Sequence, residues 1–319
     1  MKHIVLMPVR NEVELLSITL PAISSCIDVI IIADQMSDDG SRDIYKKFPK
    51  IQVIDNNRVG HSNEVRWDLL EAARNYDGEN LLMLLDADEY IPPVILKNFI
   101  REKEFISGVS FRFPWIQLWR GLHQYNTGGV WKNNFKPIAW VDDRKNKYDM
   151  NIVLNDHTSR IPSSYLTKCE LEREVPIIHL QWVYWHRTRI KQAWYICSEL
   201  IKNPLNYKKI NRTYSVVSES MSFSLNNTPP QWLEGVDFPP HLENLSPSWQ
   251  LQAIYCYFDK YGIEFFEPLQ IWDIKEFSIE FKKRTGRYPK PFTDSTIYSN
   301  FHKVSINVAG LLKGLKYGI

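Results

Sequence analysis

The sequence predicts an α/β fold: a mainly parallel sheet with helices on its faces, followed by a mostly helical C-terminal region. Three observations carry this. Short apolar runs alternate with amphipathic segments through the first part of the chain, the βαβα order of a parallel sheet. The run from Asn80 to Leu85 is almost uninterrupted in its apolar character, which suits a strand covered on both faces. From about 204 onward, helix-like stretches are separated by Pro-rich joints such as Pro229-Pro230 and Pro239-Pro240.

Taken in order, the pattern predicts a strand at 3–7, a helix at 13–24, a strand at 29–33, a helix at 42–48 and a strand at 51–54. A helix at 62–75 and the strand at 80–85 follow. After Pro92-Pro93, residues 109–113 alternate like a half-exposed strand before a stretch holding Trp115, Trp119 and Trp131. Gly128-Gly129 marks a tight turn or a close backbone approach. Turn-rich sequence runs to about 175, then 175–183 reads as a strand and 187–201 as a basic, aromatic helix. Further helices are expected at 247–261 and 273–285, which places a first domain at 1–203 and an accessory helical region at 204–319.

Three strand ends then share one rim: Pro8-Val9-Arg10-Asn11-Glu12, the stretch from Asp34 to Ser41, and Asp86-Ala87-Asp88-Glu89. Ligands of open α/β sheets bind outside the carboxyl ends of the strands. Three carboxylates so close must be neutralised, and a divalent cation that bridges them to phosphate oxygens lets them stay ionised. The stretch from Asn80 to Tyr90 therefore reads as a metal-diphosphate site.

Composition bounds the answer further. The chain of 319 residues is 44% hydrophobic and 24% charged, ordinary for a globular protein, with 13% aromatic residues. Its strand-like start at His3 shows no leader pattern, and no run approaches the roughly eighteen apolar residues that span a bilayer, so a cytoplasmic location is expected. Cys26, Cys169, Cys197 and Cys256 form no CxxC pair, which argues against a zinc site. From Lys275 to Ile319 there are nine Lys or Arg against three Asp or Glu, a basic tail suited to phosphate, nucleic acid or an anionic membrane surface, or simply solvated.

The three rim motifs, in this order, resemble those of family 2 glycosyltransferases with the GT-A fold, over roughly residues 3–200. The resemblance implies an inverting transferase that uses a nucleoside-diphosphate sugar, UDP-linked by expectation. In that family the position of Asp34 accepts a hydrogen bond from the nucleobase, and Pro8, Arg10 and Glu12 line the base-ribose pocket. Asn11 or Glu12 can instead cap the first helix, and Asp39 fits a loop-stabilising or capping role. Arg66 corresponds to a donor-contacting position, or else is a helix residue paired with Glu64 or Asp68.

The resemblance makes Asp88 the direct metal ligand, Asp86 a ribose or water-mediated metal contact, and His179 a late-strand metal ligand, with His186 as its competitor. Oxygen ligands suit Mn²⁺ or Mg²⁺, and an imidazole favours Mn²⁺. The catalytic base falls between Asp88 and His179: Asp156 with His157 is preferred, with Asp142 and Asp143 as alternatives, each of which can also be a turn residue. Trp115, Trp119, Trp131 and Gly129 fall on the acceptor side, although core packing explains at least two of these tryptophans. The expected acceptor is a glycan or a lipid-linked glycan. A modified base in DNA, or a non-catalytic nucleotide-sugar-binding or glycan-binding module, are the competing readings; no GxGxxG of an oxidoreductase follows the first strand, and Pro8-Val9-Arg10-Asn11-Glu12 stands where sugar-phosphate nucleotidyltransferases, of related architecture, carry a Gly-rich loop.

Overall fold

The computed structural model describes residues 1–58, 63–148, 160–215, 224–239 and 249–291. Asp156 and His157 lie outside the described residues.

The elements of the first part are β1 (His3–Val9), α1 (Val13–Ser24), β2 (Val29–Asp34), α2 (Ser41–Tyr45), β3 (Ile51–Asp55), α3 (Val65–Ala73) and β4 (Leu81–Leu84). These follow the expected alternation. Next come β5 (Glu89–Tyr90), α4 (Pro93–Glu102), β6 (Ser110–Gln117), β7 (Gln124–Asn126), β8 (Phe135–Val141), β9 (Cys169–Leu171) and β10 (Ile177–His179).

One sheet runs in the order β3-β2-β1-β4-β8-β6-β10-β5, with β9 also paired to β6. β1 lies parallel to both β2 and β4, and β2 parallel to β3, so the loops after β1, β2 and β4 open on one rim. Successive side chains of a strand point to opposite faces. Ile4, Leu6, Ile31, Leu82 and Leu84 accordingly form one layer with Leu69, Leu70 and Ala73 of α3.

The second half of the sheet departs from the sequence expectation. β8 falls inside the stretch read as irregular, yet it is the antiparallel strand between β4 and β6. Pro137 hides it, because a proline breaks the alternation and offers no N–H to a ladder. The sheet accommodates this with a register shift between Phe111 and Arg112, opposite the Pro137 segment. β10 is also shorter than the expected 175–183, because the chain turns after His179.

The chain divides into two compact units, the first made of 1–118, 133–180 and 227–240, the second of 119–132, 181–226 and 241–319. This differs from a single boundary at 203. The helical unit also takes in α5 (Trp185–Lys202) and the Trp119 segment. With α6 (Tyr207–Thr213), α7 (Trp249–Tyr261) and α8 (Lys275–Thr285), α5 encloses a core that includes Ile190, Ile196, Ile254, Phe258, Phe277 and Phe281. Ile190, Ala193, Cys197 and Leu200 recur at helical spacing, which is why α5 buries one stripe. Among the described residues no helix is long and apolar enough to cross a membrane.

Candidate active site

The loops after β1 and β2 brace each other. Asn11, at φ 52°, donates its backbone N–H to Ser37 Oγ and its amide to Asp38, while Asp38 returns a backbone bond to Asn11 Oδ1. Asp39 accepts the N–H of Val13 at 2.9 Å and both the N–H and the hydroxyl of Ser41. The helix expected to be capped by its own Asn11 or Glu12 is thus capped from the neighbouring loop, and Glu12, at the N-cap, makes no side-chain cap bond. Pro8, Arg10 and Glu12 stand together on this rim, with Arg10 exposed.

Asp34 is fully buried. Its Oδ1 accepts from Ser37 N–H at 3.0 Å and Arg42 Nε at 2.8 Å, and its Oδ2 accepts from Tyr45 at 2.9 Å. Burial opposes ionisation, but these bonds outweigh it and hold the carboxyl below its ordinary range. Through these bonds Asp34 ties the loop after β2 to Arg42 and Tyr45 of α2.

At the end of β4 the acidic stretch behaves differently from three mutually repelling carboxylates. Arg160 sits among them. Its Nη2 donates to Asp86 Oδ2 at 2.5 Å and to Glu89 Oε1 at 2.9 Å, and its Nη1 donates to Glu89 Oε2. Glu89 is 0% exposed and also accepts the indole N–H of Trp115 at 2.6 Å and the backbone N–H of Asp86 at 3.0 Å. Arg160 overcomes the cost of burial and keeps Glu89 below the usual carboxylate range. Asp86 is pushed the other way, by desolvation and then by its neighbours Glu89 and Asp88, against the pull of Arg160. Arg66 is half-buried and feels the charges of Asp86 and Arg160, with desolvation lowering its pKa. Its alternative partners, Glu64 and Asp68, are instead bound by Arg58.

Asp88 is the member Arg160 does not bind. Its Oδ2 lies 3.2 Å from Nε2 of His179, and both side chains are buried. The sheet brings them together: β5 and β10 pair antiparallel with His179 opposite Glu89, and the carbonyl of Asp88 accepts Leu180 N–H at 2.8 Å. On the other flank His179 is opposite Gln117 in the parallel β6 register, and its Nδ1 lies 2.8 Å from Gln117 Oε1. Trp115 stacks on the ring at 4.6 Å between centroids. With the amide assigned this way, the imidazole lies between two acceptors, so a proton or a cation must sit between Nε2 and the carboxylate.

That arrangement fits a divalent ion. Among the described residues no three His, Cys, Asp or Glu side chains converge on one point. Two protein ligands with the remaining positions left to water and phosphate are nevertheless what an ion of the Mg²⁺ or Mn²⁺ kind takes beside a diphosphate. Gln117 would orient the imidazole, as hydrogen-bonded second partners of metal-binding histidines do. Asp86, expected as a further metal contact, is engaged by Arg160.

The other expected residues lie elsewhere. Asp142 pairs with Arg74, and its N–H bonds to the carbonyl of Asn80, at the amino end of β4. Asp143 beside it accepts from Tyr165, Asn146 and the N–H of Lys145. Both are at the opposite end of the strand from Asp88, and Asp143 is a turn residue, so neither reaches the rim as a base. His186 is exposed and pairs with Glu276. Trp119 stacks on Trp182 at 5.3 Å, with Trp131 packed against both, in the helical unit. Gly129, at φ 57°, opens the turn that leads into Trp131, and Trp119, Trp131 and Trp182 pack as one aromatic cluster. Arg160 and Gln117 escaped the sequence reading. Arg160 is 74 positions from Asp86 with no motif to link them, whereas Gln117 is foreshadowed by its place two residues after Trp115 on the same strand face.

Residues 4–159 match the family model described as glycosyl transferase family 2. These residues form a family 2 glycosyltransferase domain. The strand ends after β1, β2 and β4 all lie within that domain. No curated protein matches the chain. Among solved structures, TarS 1–349 of S. aureus in complex with UDP is 16% identical over 92% of this chain and 95% of that one, with TM-score 0.39. Glucosyl-3-phosphoglycerate synthase from Mycobacterium tuberculosis, with Mn²⁺, UDP and phosphoglyceric acid, is 20% identical over 36% of this chain and 43% of its own, with TM-score 0.26. A 4-diphosphocytidyl-2C-methyl-D-erythritol synthase is 16% identical over 35% of this chain and 60% of its own, with TM-score 0.29.

Proposed function

We propose that this glycosyltransferase moves a sugar from a nucleoside-diphosphate donor, UDP-linked, to a hydroxyl of a glycan or lipid-linked acceptor, with inversion at the anomeric carbon and with Mn²⁺ or Mg²⁺ bound. The observation that supports this best is the buried pair of Asp88 and His179, drawn together from the turn before β5 and from β10, next to the Asp86 carboxylate that Arg160 binds and whose charge Arg66 feels. Asp88 and His179 would hold the ion, which when bound offsets charge on the leaving diphosphate. Pro8, Arg10 and Glu12 supply the wall for the nucleoside.

In the transfer the acceptor oxygen forms its bond to the anomeric carbon as the bond from that carbon to the diphosphate breaks. A carboxylate takes the hydroxyl proton, and the nucleoside diphosphate leaves with the bonding pair. Asp156 is the base in this reading, with His157 next to it. Arg66 faces the same end of β4 and favours anionic phosphate.

A panel of nucleotide sugars, screened for hydrolysis with and without Mn²⁺ and followed by mass spectrometry with candidate acceptors, tests the assignment. Metal-dependent release of UDP from a UDP-sugar is the expected result. Hydrolysis of no donor at any metal concentration, with folded protein, would overturn it.

A further inference from the structure

The acidic stretch after β4 holds its own cation, and the way that cation is bound suggests a second role for it. Arg160 has two unequal partners. Towards Glu89 it makes bonds from both terminal nitrogens to a carboxylate that is 0% exposed and that also holds Trp115 and the backbone of Asp86. Towards Asp86 it makes one bond, from Nη2, to a carboxylate that is 41% exposed. The first contact is an anchor and the second is exchangeable, because water can replace a lost partner only at Asp86. Arg160 itself is 15% exposed, and its guanidinium carbon lies 6.0 Å from the centroid of the Trp115 ring.

We propose that Arg160 is a diphosphate-binding residue that Asp86 masks until donor and metal arrive. The proposal rests on the reading of Asp88 and His179 as the metal end of a nucleotide-sugar site. While the site is empty, Arg160 balances two of the three carboxylates and keeps the stretch from repelling itself. Once a divalent charge stands beside Asp88, Asp86 no longer needs Arg160 as its counter-ion. The Nη2 hydrogen that Asp86 gives up then points into the site, and Glu89 keeps the guanidinium fixed in place for a phosphate oxygen. A planar guanidinium with one edge held by a buried carboxylate presents its remaining donors in a fixed geometry, which suits an anionic oxygen better than a mobile lysine does.

This arrangement predicts opposite signs for two affinities. Loss of Arg160 removes a positive charge from beside the carboxylates, so the ion alone binds as well as before or better. The same loss removes a donor to the diphosphate, so UDP binds less well. A scaffold residue would give parallel losses.

The test is calorimetric titration of the full chain and of Arg160→Met and Arg160→Lys, with Mn²⁺ alone and then with UDP at saturating Mn²⁺. The expected result for Arg160→Met is Mn²⁺ affinity equal or higher and UDP affinity reduced roughly tenfold to a hundredfold. For Arg160→Lys, which keeps the charge but not the fork, UDP weakens by a smaller factor with Mn²⁺ unchanged. If circular dichroism shows Arg160→Met to be unfolded, Arg160→Lys decides by the same signs. UDP affinity equal to the parent's, or parallel losses of both ligands, would overturn the proposal. Failure of the parent itself to bind UDP with Mn²⁺ would instead overturn the functional reading beneath it.

Discussion

Arg160 grips Glu89 with both terminal nitrogens, across 71 positions of sequence, in a place where Glu89 has no contact with solvent. Breaking a buried pair from one side leaves an uncompensated charge, which costs about 3–5 kcal/mol. Glu89→Gln keeps the shape and the acceptor for Trp115 but removes that charge. We expect a destabilisation near the lower end of that range in urea unfolding, and a smaller loss in the double variant Glu89→Gln, Arg160→Met.

Asp34 gives the fold a dependence on acid. Its pKa is lowered by folding, so its contribution is complete above the ordinary value of 3.8 and fades as pH falls through the lowered native value. Asp34→Asn should therefore be less stable than the parent at neutral pH, with the gap closing as the solution is acidified below about 4. Thermal melts of both proteins across that range measure it.

Asp39 caps a helix that it does not belong to. Asp39→Ala removes the acceptor for Val13 N–H and for Ser41, and should cost about 1–2 kcal/mol, the upper part of the range for capping residues. Asn11→Ala breaks the companion contact to Asp38 and should cost less, because that pair is exposed. Chemical denaturation of the two variants gives the comparison.

Trp115 acts on two neighbours by separate means. Its ring stacks on His179 and its N–H bonds to Glu89. Trp115→Phe keeps an aromatic face and loses the hydrogen bond, so stability should drop by about 1–2 kcal/mol while UDP affinity with Mn²⁺ stays within a few-fold. Trp115→Ala releases the imidazole as well and should lower both.

The first half of the sheet was legible in the sequence because each strand from β1 to β4 is short, apolar and separated by an amphipathic helix. The rim followed from it, and so did the meeting of Asp88 with His179, which the family motifs implied. The need to neutralise the acidic stretch was also legible, but the cation that does so was not. Arg160 arrives through tertiary contact, with no local pattern to announce it. The place of Asp34 at a strand end is visible in the sequence, whereas its bonds to Tyr45 and Arg42 are not, because they form through the loop geometry. Pro137 concealed β8, and with it the fact that Asp142 and Asp143 sit at the far end of β4. The aromatic excess resolved into packing, since Trp119, Trp131, Trp182 and Trp185 cluster with one another.

The central claim is that Asp88 and His179 form the metal end of a donor-diphosphate site. Calorimetric titration of UDP into the parent and into Asp88→Ala, each with and without Mn²⁺, tests it most directly. The account predicts that the parent binds UDP only with Mn²⁺, and that Asp88→Ala loses that binding by about a hundredfold or more while melting within a few degrees of the parent. Equal UDP affinity in the two proteins in the presence of Mn²⁺ would contradict it.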